Sequence, residues 1–374
     1  MAGIYIHIPF CKQACTYCNF YFSTKMALMQ NTIAAINTEI IMRKNELANQ
    51  KIHTIYFGGG TPSLASVQNL ISIISTIKNN YNLAPNAEIT IEVNPDDIGI
   101  EVLKAYLNLG INRLSIGIQS FDNTILKLMN RAHNANKAMQ CLADIKTAGF
   151  TNYSADLIYG NPNQTLQNFQ NDVNTLLSFK PTHISAYALT VEPKTVLQNW
   201  INNGKIAAPI PQLQSNMYAM LIAILANHGY QHYEISNWAL PSFISKHNSS
   251  YWHNIRYMGI GPSAHSFNGS TRRWNISNTN KYITGLQTNN PAFNIEYLTP
   301  QNIFNEYIMI KLRLQEGINK AHMLATYNNN WCNNAFKILT LAKNNKLITE
   351  TATHIALTQQ GKFFGDGLAA SCFV

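Results

Sequence analysis

Apolar and polar positions along this chain follow two periods in alternation. Short runs rich in β-branched and aromatic residues at 4–8, 54–57, 89–93, 113–118, 154–159 and 184–189 predict strands. The stretches between them carry apolar residues at helical spacing. Over 27–48, Ile33, Ile36, Ile40 and Leu47 fall near one face, and similar spacing predicts helices over 63–79, 99–109, 134–148 and 165–178. Strand and helix in repeated alternation predict an α/β protein with a parallel sheet and helices outside it. Six such units would form a curved, incomplete barrel; periodicity alone leaves a doubly wound open sheet as the competitor. Beyond about residue 190 the pattern becomes irregular. A Trp/Tyr-rich stretch covers 230–275, and helical spacing returns from about 299, with Tyr307, Ile310 and Leu314 as one stripe. A short β region at 347–357 and the turn-forming Thr358-Gln359-Gln360-Gly361 follow. The expected division is a core over 1–235, a connecting segment over 236–298 and a small C-terminal domain over 299–374.

Groups with chemical capability gather at or near the ends of the predicted strands. In parallel α/β architectures that edge carries the site. Cys11, Cys15 and Cys18 follow the first strand and Gly58-Gly59-Gly60 the second; Glu92 lies near the end of the third, Gln119 ends the fourth, and Asp156 lies in the fifth.

Composition narrows the setting. The chain has 374 residues, 46% of them hydrophobic, enough for a large core with a smaller appendage. Its net charge is +9, yet only 12% of residues are charged and no dense basic run occurs. No nucleic-acid partner is expected from so diffuse a field. The N-terminus shows no basic leader with a long apolar segment, and no apolar run approaches the roughly 18–20 residues a spanning helix needs. A cytoplasmic setting is therefore expected, in which thiols stay reduced and clustered cysteines suggest metal or redox chemistry.

Of six cysteines, three crowd into Cys11-Lys-Gln-Ala-Cys15-Thr-Tyr-Cys18. Iron–sulfur clusters are ligated by thiolates, usually four. Three would leave one iron open to a small chelating molecule, and S-adenosylmethionine carries a suitable amino and carboxylate pair. Zinc is the alternative, with His7 or a distant cysteine as fourth ligand. Cys141, Cys332 and Cys372 read as ordinary buried thiols. The glycines after the second strand would let backbone approach a ligand, or simply make a tight turn. Glu92 stands in an otherwise apolar strand, so it needs either a cationic ligand group or a pairing with Arg113 or Arg131. Gln119 can both donate and accept, Arg131 suits a carboxylate, and Asp156 suits ribose hydroxyls.

Tyr5-Ile6-His7-Ile8-Pro9-Phe10-Cys11, followed by Cys15, Tyr17 and Cys18, resembles the start of the coproporphyrinogen III dehydrogenase (HemN) group of radical S-adenosylmethionine proteins. The resemblance is dense from residue 4 to about 270 and weaker after 299. It implies a partial (β/α) TIM-like barrel with a small winged-helix-like α/β domain at the C-terminus. It also implies a [4Fe–4S] cluster on Cys11, Cys15 and Cys18, with S-adenosylmethionine at Tyr5, Gly59, Gly60, Thr61, Glu92, Gln119, Arg131 and Asp156. Tyr17, Ala188 and His265 are further positions that match; Tyr17 and Ala188 correspond to a second S-adenosylmethionine in the dehydrogenase.

Two features point to another branch of this group. The dehydrogenase loop continues with a further cysteine where this chain has Asn19-Phe20, and His247-Asn248-Ser249-Ser250-Tyr251-Trp252 matches the His-Asn-x-x-Tyr-Trp motif of the HemW-type haem chaperones. The resemblance implies haem as a ligand, with His247 as the candidate iron ligand and Tyr251 and Trp252 against the porphyrin. Haem-accepting respiratory proteins, some membrane-bound, would be the partners, and a homodimer is expected. Whether the chain catalyses anything stays open between a haem carrier and an oxygen-independent coproporphyrinogen III oxidase making protoporphyrinogen IX.

Overall fold

The computed structural model describes all 374 residues. Strands β1 (Ala2–Ile8), β2 (Ile52–Gly59), β3 (Leu83–Val93), β4 (Arg113–Gln119), β5 (Tyr153–Tyr159) and β6 (His183–Ala188) lie side by side in chain order, and every neighbouring pair is parallel. The crossovers are α1 (Met29–Met42), α2 (Val67–Asn80), α3 (Ile100–Leu109), α4 (Asn123–Leu128) with α5 (Ala135–Ala148), and α6 (Leu166–Ser178). Strand order never reverses, so there is no switch point of the doubly wound type; the arrangement is the partial barrel. Each predicted strand and crossover helix is present. The first helix stops at Met42, short of the expected 48, because Arg43 turns inward to Glu39 and Glu46.

Helix starts follow local chemistry. Ser66, Asn134 and Thr165 cap α2, α5 and α6 with their side chains, and Gly110 and Gly149 close α3 and α5 in left-handed conformations. On β1, Ile4, Ile6 and Ile8 are buried under the outer helices. Tyr5 and His7 alternate to the inner face, where Tyr5 stacks with Tyr56.

After β6 come α7 (Val196–Asn202) and α8 (Pro211–Asn227), then a hairpin of β7 (Gln231–Glu234) and β8 (Asn237–Ala239). Next are α9 (Lys246–Trp252), β9 (Tyr257–Ile260), β10 (His265–Phe267), β11 (Thr271–Asn275), α10 (Thr279–Gln287) and β12 (Phe293–Tyr297). β9 adds parallel to β1, so the sheet continues on that side as β12-β11-β10-β9-β1. These short strands mix polar and apolar residues, so no period announced them.

The chain divides into two compact units, residues 1–217 with 245–296, and residues 218–244 with 297–374. This differs from the sequence-based division, which cut at 235 and 298. The β7–β8 hairpin belongs with the C-terminal unit because Lys362 Nζ donates to His232 Nδ1 and Ile235 N donates to the Arg313 carbonyl. That unit also holds α11 (Pro300–Arg313), β13 (Ile318–Asn319), α12 (Lys320–Thr326), α13 (Asn329–Asn344), β14 (Ile348–Glu350), β15 (His354–Leu357) and α14 (Gly365–Ser371). Its three strands lie in the order β13-β15-β14, and the helix–strand–helix–helix–hairpin succession is winged-helix-like. The predicted stripe of Tyr307, Ile310 and Leu314 is buried, as are Cys141, Cys332 and Cys372. No helix is long and apolar enough to cross a membrane.

Candidate cofactor site at the strand ends

A cavity of about 570 Å³ opens at the C-terminal ends of the barrel strands. Its wall includes Cys11, Cys15 and Cys18, with Tyr5, Gly59, Gly60, Thr61, Glu92, Gln119, Arg131 and Asp156. Tyr17 and Ala188 line it as well, whereas His247 and His265 do not.

The cysteine loop is pinned from outside its own sequence. Cys11 N donates to the Ser23 carbonyl, Thr16 N to the Met129 carbonyl and Thr16 Oγ1 to the Leu128 carbonyl. Gln13 Nε2 donates to the Asn130 carbonyl, and Asn130 Nδ2 returns a bond to the Ala14 carbonyl, both at 2.7 Å. The three thiols are half-buried and unbridged. No three His, Cys, Asp or Glu side chains converge closely enough to share a single metal ion. A cubane takes each thiolate on a different iron, whereas zinc gathers its sulfurs at about 2.3 Å around one point. Arg131 Nη1 lies 3.4 Å from Cys15 Sγ and Thr61 Oγ1 lies 3.6 Å from Cys11 Sγ. Burial pushes the Cys11 thiol up to about 11, with the Thr61 hydrogen bond and the charge of Arg131 pulling against it.

The glycine turn is a cradle. Gly59 holds φ +112°, and a Cβ there would lie 2.8 Å from the His7 ring; a Cβ on Gly60 would lie 2.6 Å from the Phe10 carbonyl oxygen. Only glycine satisfies both positions. Gln119 also holds a left-handed backbone, φ +66°, where the β4–β5 register shifts. Such a conformation in a non-glycine residue is kept at a cost of about 1–3 kcal/mol and is concentrated at functional sites.

Glu92 pairs with neither Arg113 nor Arg131. Its Oε1 accepts from the Tyr56 hydroxyl at 2.9 Å. Burial pushes its carboxyl up to about 7; the Tyr56 bond pulls it down, and the charge of Asp156 pushes it up again. Burial likewise raises Asp156 to about 6 against bonds from Ser185, Ser154 and Ser115 and the charge of Arg113. Two carboxyls short of positive partners face one cavity, an arrangement that a cationic ligand would relieve. On the other wall, Arg131 Nε is buried with no partner. The donor set thus fits a ligand bearing both an ammonium and a carboxylate.

Asn94 is the site residue that sequence reasoning missed. Its Nδ2 donates to Thr61 Oγ1 at 3.1 Å while its Oδ1 accepts from Arg131 Nη2 at 2.6 Å. It couples the glycine turn to the arginine beside the cysteines. Its place two residues after Glu92, at the end of β3, was the available signal.

His247, the haem candidate, is enclosed by its neighbours. The ring is 1% exposed, Nδ1 lies 2.8 Å from Thr54 Oγ1, and Nε2 lies 2.9 Å from the Tyr251 hydroxyl. It stacks on Tyr56 at 4.9 Å, inside the barrel and away from the cavity. Burial lowers its pKa to about 3, so it is neutral with both nitrogens engaged.

Comparison with known proteins accords with this architecture. Residues 5–176 match the Radical SAM superfamily and residues 298–364 the HemN C-terminal domain. Heme chaperone HemW of Lactococcus lactis is 36% identical over 314 residues, covering 84% of this chain and 82% of the relative. Heme chaperone HemW of Bacillus subtilis is 33% identical over 372 residues, covering 98% and 97%. The solved structure of coproporphyrinogen III oxidase (HemN) from Escherichia coli superposes with a TM-score of 0.87 at 22% identity, covering all of this chain and 90% of that one; at that identity it shows the shared fold. This chain belongs to the HemW-type family of haem chaperones, within the radical S-adenosylmethionine superfamily.

Proposed function

We propose that this protein is a haem carrier that holds a [4Fe–4S] cluster and S-adenosylmethionine in the strand-end cavity and passes haem to respiratory haem proteins. One observation carries the cofactor half: a single cavity gathers three pinned thiols, a glycine cradle, two undercompensated carboxyls and an arginine with an unpaired buried N–H. The names of the HemW relatives support haem as the cargo.

In this reading Cys11, Cys15 and Cys18 ligate three irons, and Arg131 offsets the negative charge of the thiolates. Gly59 and Gly60 admit the methionine end of the nucleoside close to backbone, Glu92 takes its ammonium, and Asp156 and Gln119 take ribose hydroxyls. Tyr5, stacked on Tyr56, forms an aromatic wall. A cluster held by Cys11, Cys15 and Cys18 would supply one-electron chemistry toward the sulfonium of the bound nucleoside. The residues here bind, orient and shield; they do not require turnover.

The deciding experiment is anaerobic reconstitution followed by parallel assays. Stoichiometric haem uptake with no conversion of coproporphyrinogen III is expected. Robust protoporphyrinogen IX formation would replace the carrier with the dehydrogenase.

S-adenosylmethionine binding should depend on pH with a definite sign. The ionised Glu92 carboxylate attracts the ammonium, so this attraction is complete above about 7 and is lost as pH falls through that value. Asp156, raised to about 6, extends the decline. Affinity measured by equilibrium dialysis is expected to fall by up to about tenfold per pH unit below 7. Glu92→Gln should bind more weakly and lose the step near 7. An unchanged affinity from pH 8 to 6 in the unmodified protein would exclude Glu92 as the ammonium's partner.

A further inference from the structure

Each cysteine of the loop has a donor beside its sulfur. Thr61 Oγ1 lies 3.6 Å from Cys11 Sγ, Arg131 Nη1 lies 3.4 Å from Cys15 Sγ, and the Phe20 backbone N–H bonds to Cys18. The Tyr17 hydroxyl is a second donor at Cys15. Two of these donors, Thr61 and Arg131, meet on one side chain. Asn94 Nδ2 donates to Thr61 Oγ1, and Asn94 Oδ1 accepts from Arg131 Nη2. A single amide therefore stands behind the donors to two different cysteines.

The direction of each bond follows from the chemistry of the partners. A guanidinium only donates, so the Asn94 atom facing Arg131 must be the carbonyl oxygen. The amide nitrogen then faces Thr61 and donates to its oxygen, and the Thr61 hydroxyl turns its own proton to Cys11. On the other arm, Arg131 Nη2 is held between Asn94 Oδ1 at 2.6 Å and the Gly117 carbonyl at 2.8 Å, which leaves Nη1 against Cys15. A Cβ on Gly117 would lie 3.1 Å from Nη2, so glycine lets the guanidinium settle there. Asn94 itself is fixed just past β3, where its N donates to Ser63 Oγ and its carbonyl accepts from Asp97 N.

We propose that Asn94 is a positioning residue for the iron–sulfur cluster: it aims Thr61 at Cys11 and Arg131 at Cys15, and through these two donors it raises the reduction potential of the cluster. This assignment rests on the cofactor half of the carrier reading. Hydrogen bonds to ligating sulfur help to set such potentials, because a donor stabilises the more negative, reduced form. A higher potential opposes passage of the electron to the sulfonium, which suits a protein that keeps its nucleoside whole. Asn94→Asp is the sharpest probe. It keeps the size of the side chain, but a carboxylate accepts from both neighbours. The Thr61 hydroxyl is then drawn away from Cys11, and a negative charge is added beside the cluster.

The test is a redox titration of the full chain, reconstituted anaerobically and free of S-adenosylmethionine. Dithionite and low-potential mediators supply the electron, and electron paramagnetic resonance follows the one-electron-reduced cluster. Thr61→Val, which removes only the donor at Cys11, is expected to lower the potential. Asn94→Asp is expected to lower the equilibrium constant for one-electron reduction at least about tenfold, a shift of about 59 mV. The double variant is expected to shift by less than the sum of the two, because the new carboxylate then has no hydroxyl to redirect. Iron and sulfide content should match the unmodified chain in all three. If Asn94→Asp loads poorly, Thr61→Val decides, and an unchanged potential there refutes the proposal. If the unmodified chain takes up no cluster, the cofactor reading falls and this role with it. If it loads normally and both single variants keep its potential, or if their shifts simply add in the double variant, the role of Asn94 alone is refuted.

Discussion

Serine at Cys11, Cys15 or Cys18 is expected to leave the protein with less than about a tenth of the iron and inorganic sulfide that the unmodified chain takes up on anaerobic reconstitution. The loop has no spare thiol: Cys141, Cys332 and Cys372 are buried in packed helices and cannot substitute. A serine hydroxyl is a far weaker ligand for iron because it does not ionise near neutral pH. The loop itself should persist, since its anchors run through Thr16, Gln13 and Asn130, none of which involves a sulfur. Circular dichroism of the serine variants should therefore overlay that of the parent, while the visible absorbance of the cluster disappears. Serine at Cys332, which is buried in the C-terminal core with its thiol on the Met323 carbonyl, should leave iron content unchanged. Full iron retention in any of the three loop variants would mean that the cluster is ligated elsewhere.

Glu39→Ala is expected to cost about 3–5 kcal/mol of stability, because it removes one of the two carboxylates paired with buried Arg43 and leaves buried donors without their acceptor. Glu39 is 2% exposed. Its carboxylate accepts from Arg43 Nη1 at 2.8 Å, Gly261 N at 2.9 Å, Asn275 Nδ2 at 2.8 Å and the Tyr282 hydroxyl at 2.7 Å. Arg43, equally buried, donates onward to the Gly259 carbonyl and to Ser266 Oγ. One carboxylate on α1 thus fastens the strands β9 to β11 and helix α10 to the barrel. Thermal unfolding should fall by on the order of 10 °C. The paired replacement Glu39→Leu with Arg43→Met should be less damaging than Glu39→Ala alone, because the buried guanidinium leaves with its buried partner, and Glu46, its other partner, is part-exposed and keeps Arg273 at 3.6 Å. A double variant no better than the single one would show that the onward bonds of Arg43, rather than the ion pair, carry the stability.

What was readable without coordinates was whatever repeats locally or is costly to place. The strand–helix alternation was legible because each strand is a run of apolar residues and each helix buries one stripe; Ile33, Ile36 and Ile40 are all buried as their spacing implied. The three cysteines were legible by spacing, and Glu92 because a carboxylate in an apolar strand requires a reason. The site edge followed from these, since parallel strands carry their ends to one side.

Other features depended on residues far apart in the chain. Asn94 is an unremarkable amide until the fold sets Thr61 on one side of it and Arg131 on the other. His247 was a haem candidate through the match of its six-residue motif, yet Tyr251 of that motif takes one ring nitrogen, and Thr54, nearly two hundred residues earlier, takes the other. The strands β10 and β11 are three and five residues long, too short for a period, and they are held by Glu39 from the first helix. The sequence by itself determined the alternating elements and the residues that line the strand ends, because those depend on local periodicity and on the cost of burying charge. Only the tertiary structure decided that His247 is sealed, because exposure depends on what distant segments pack over a ring.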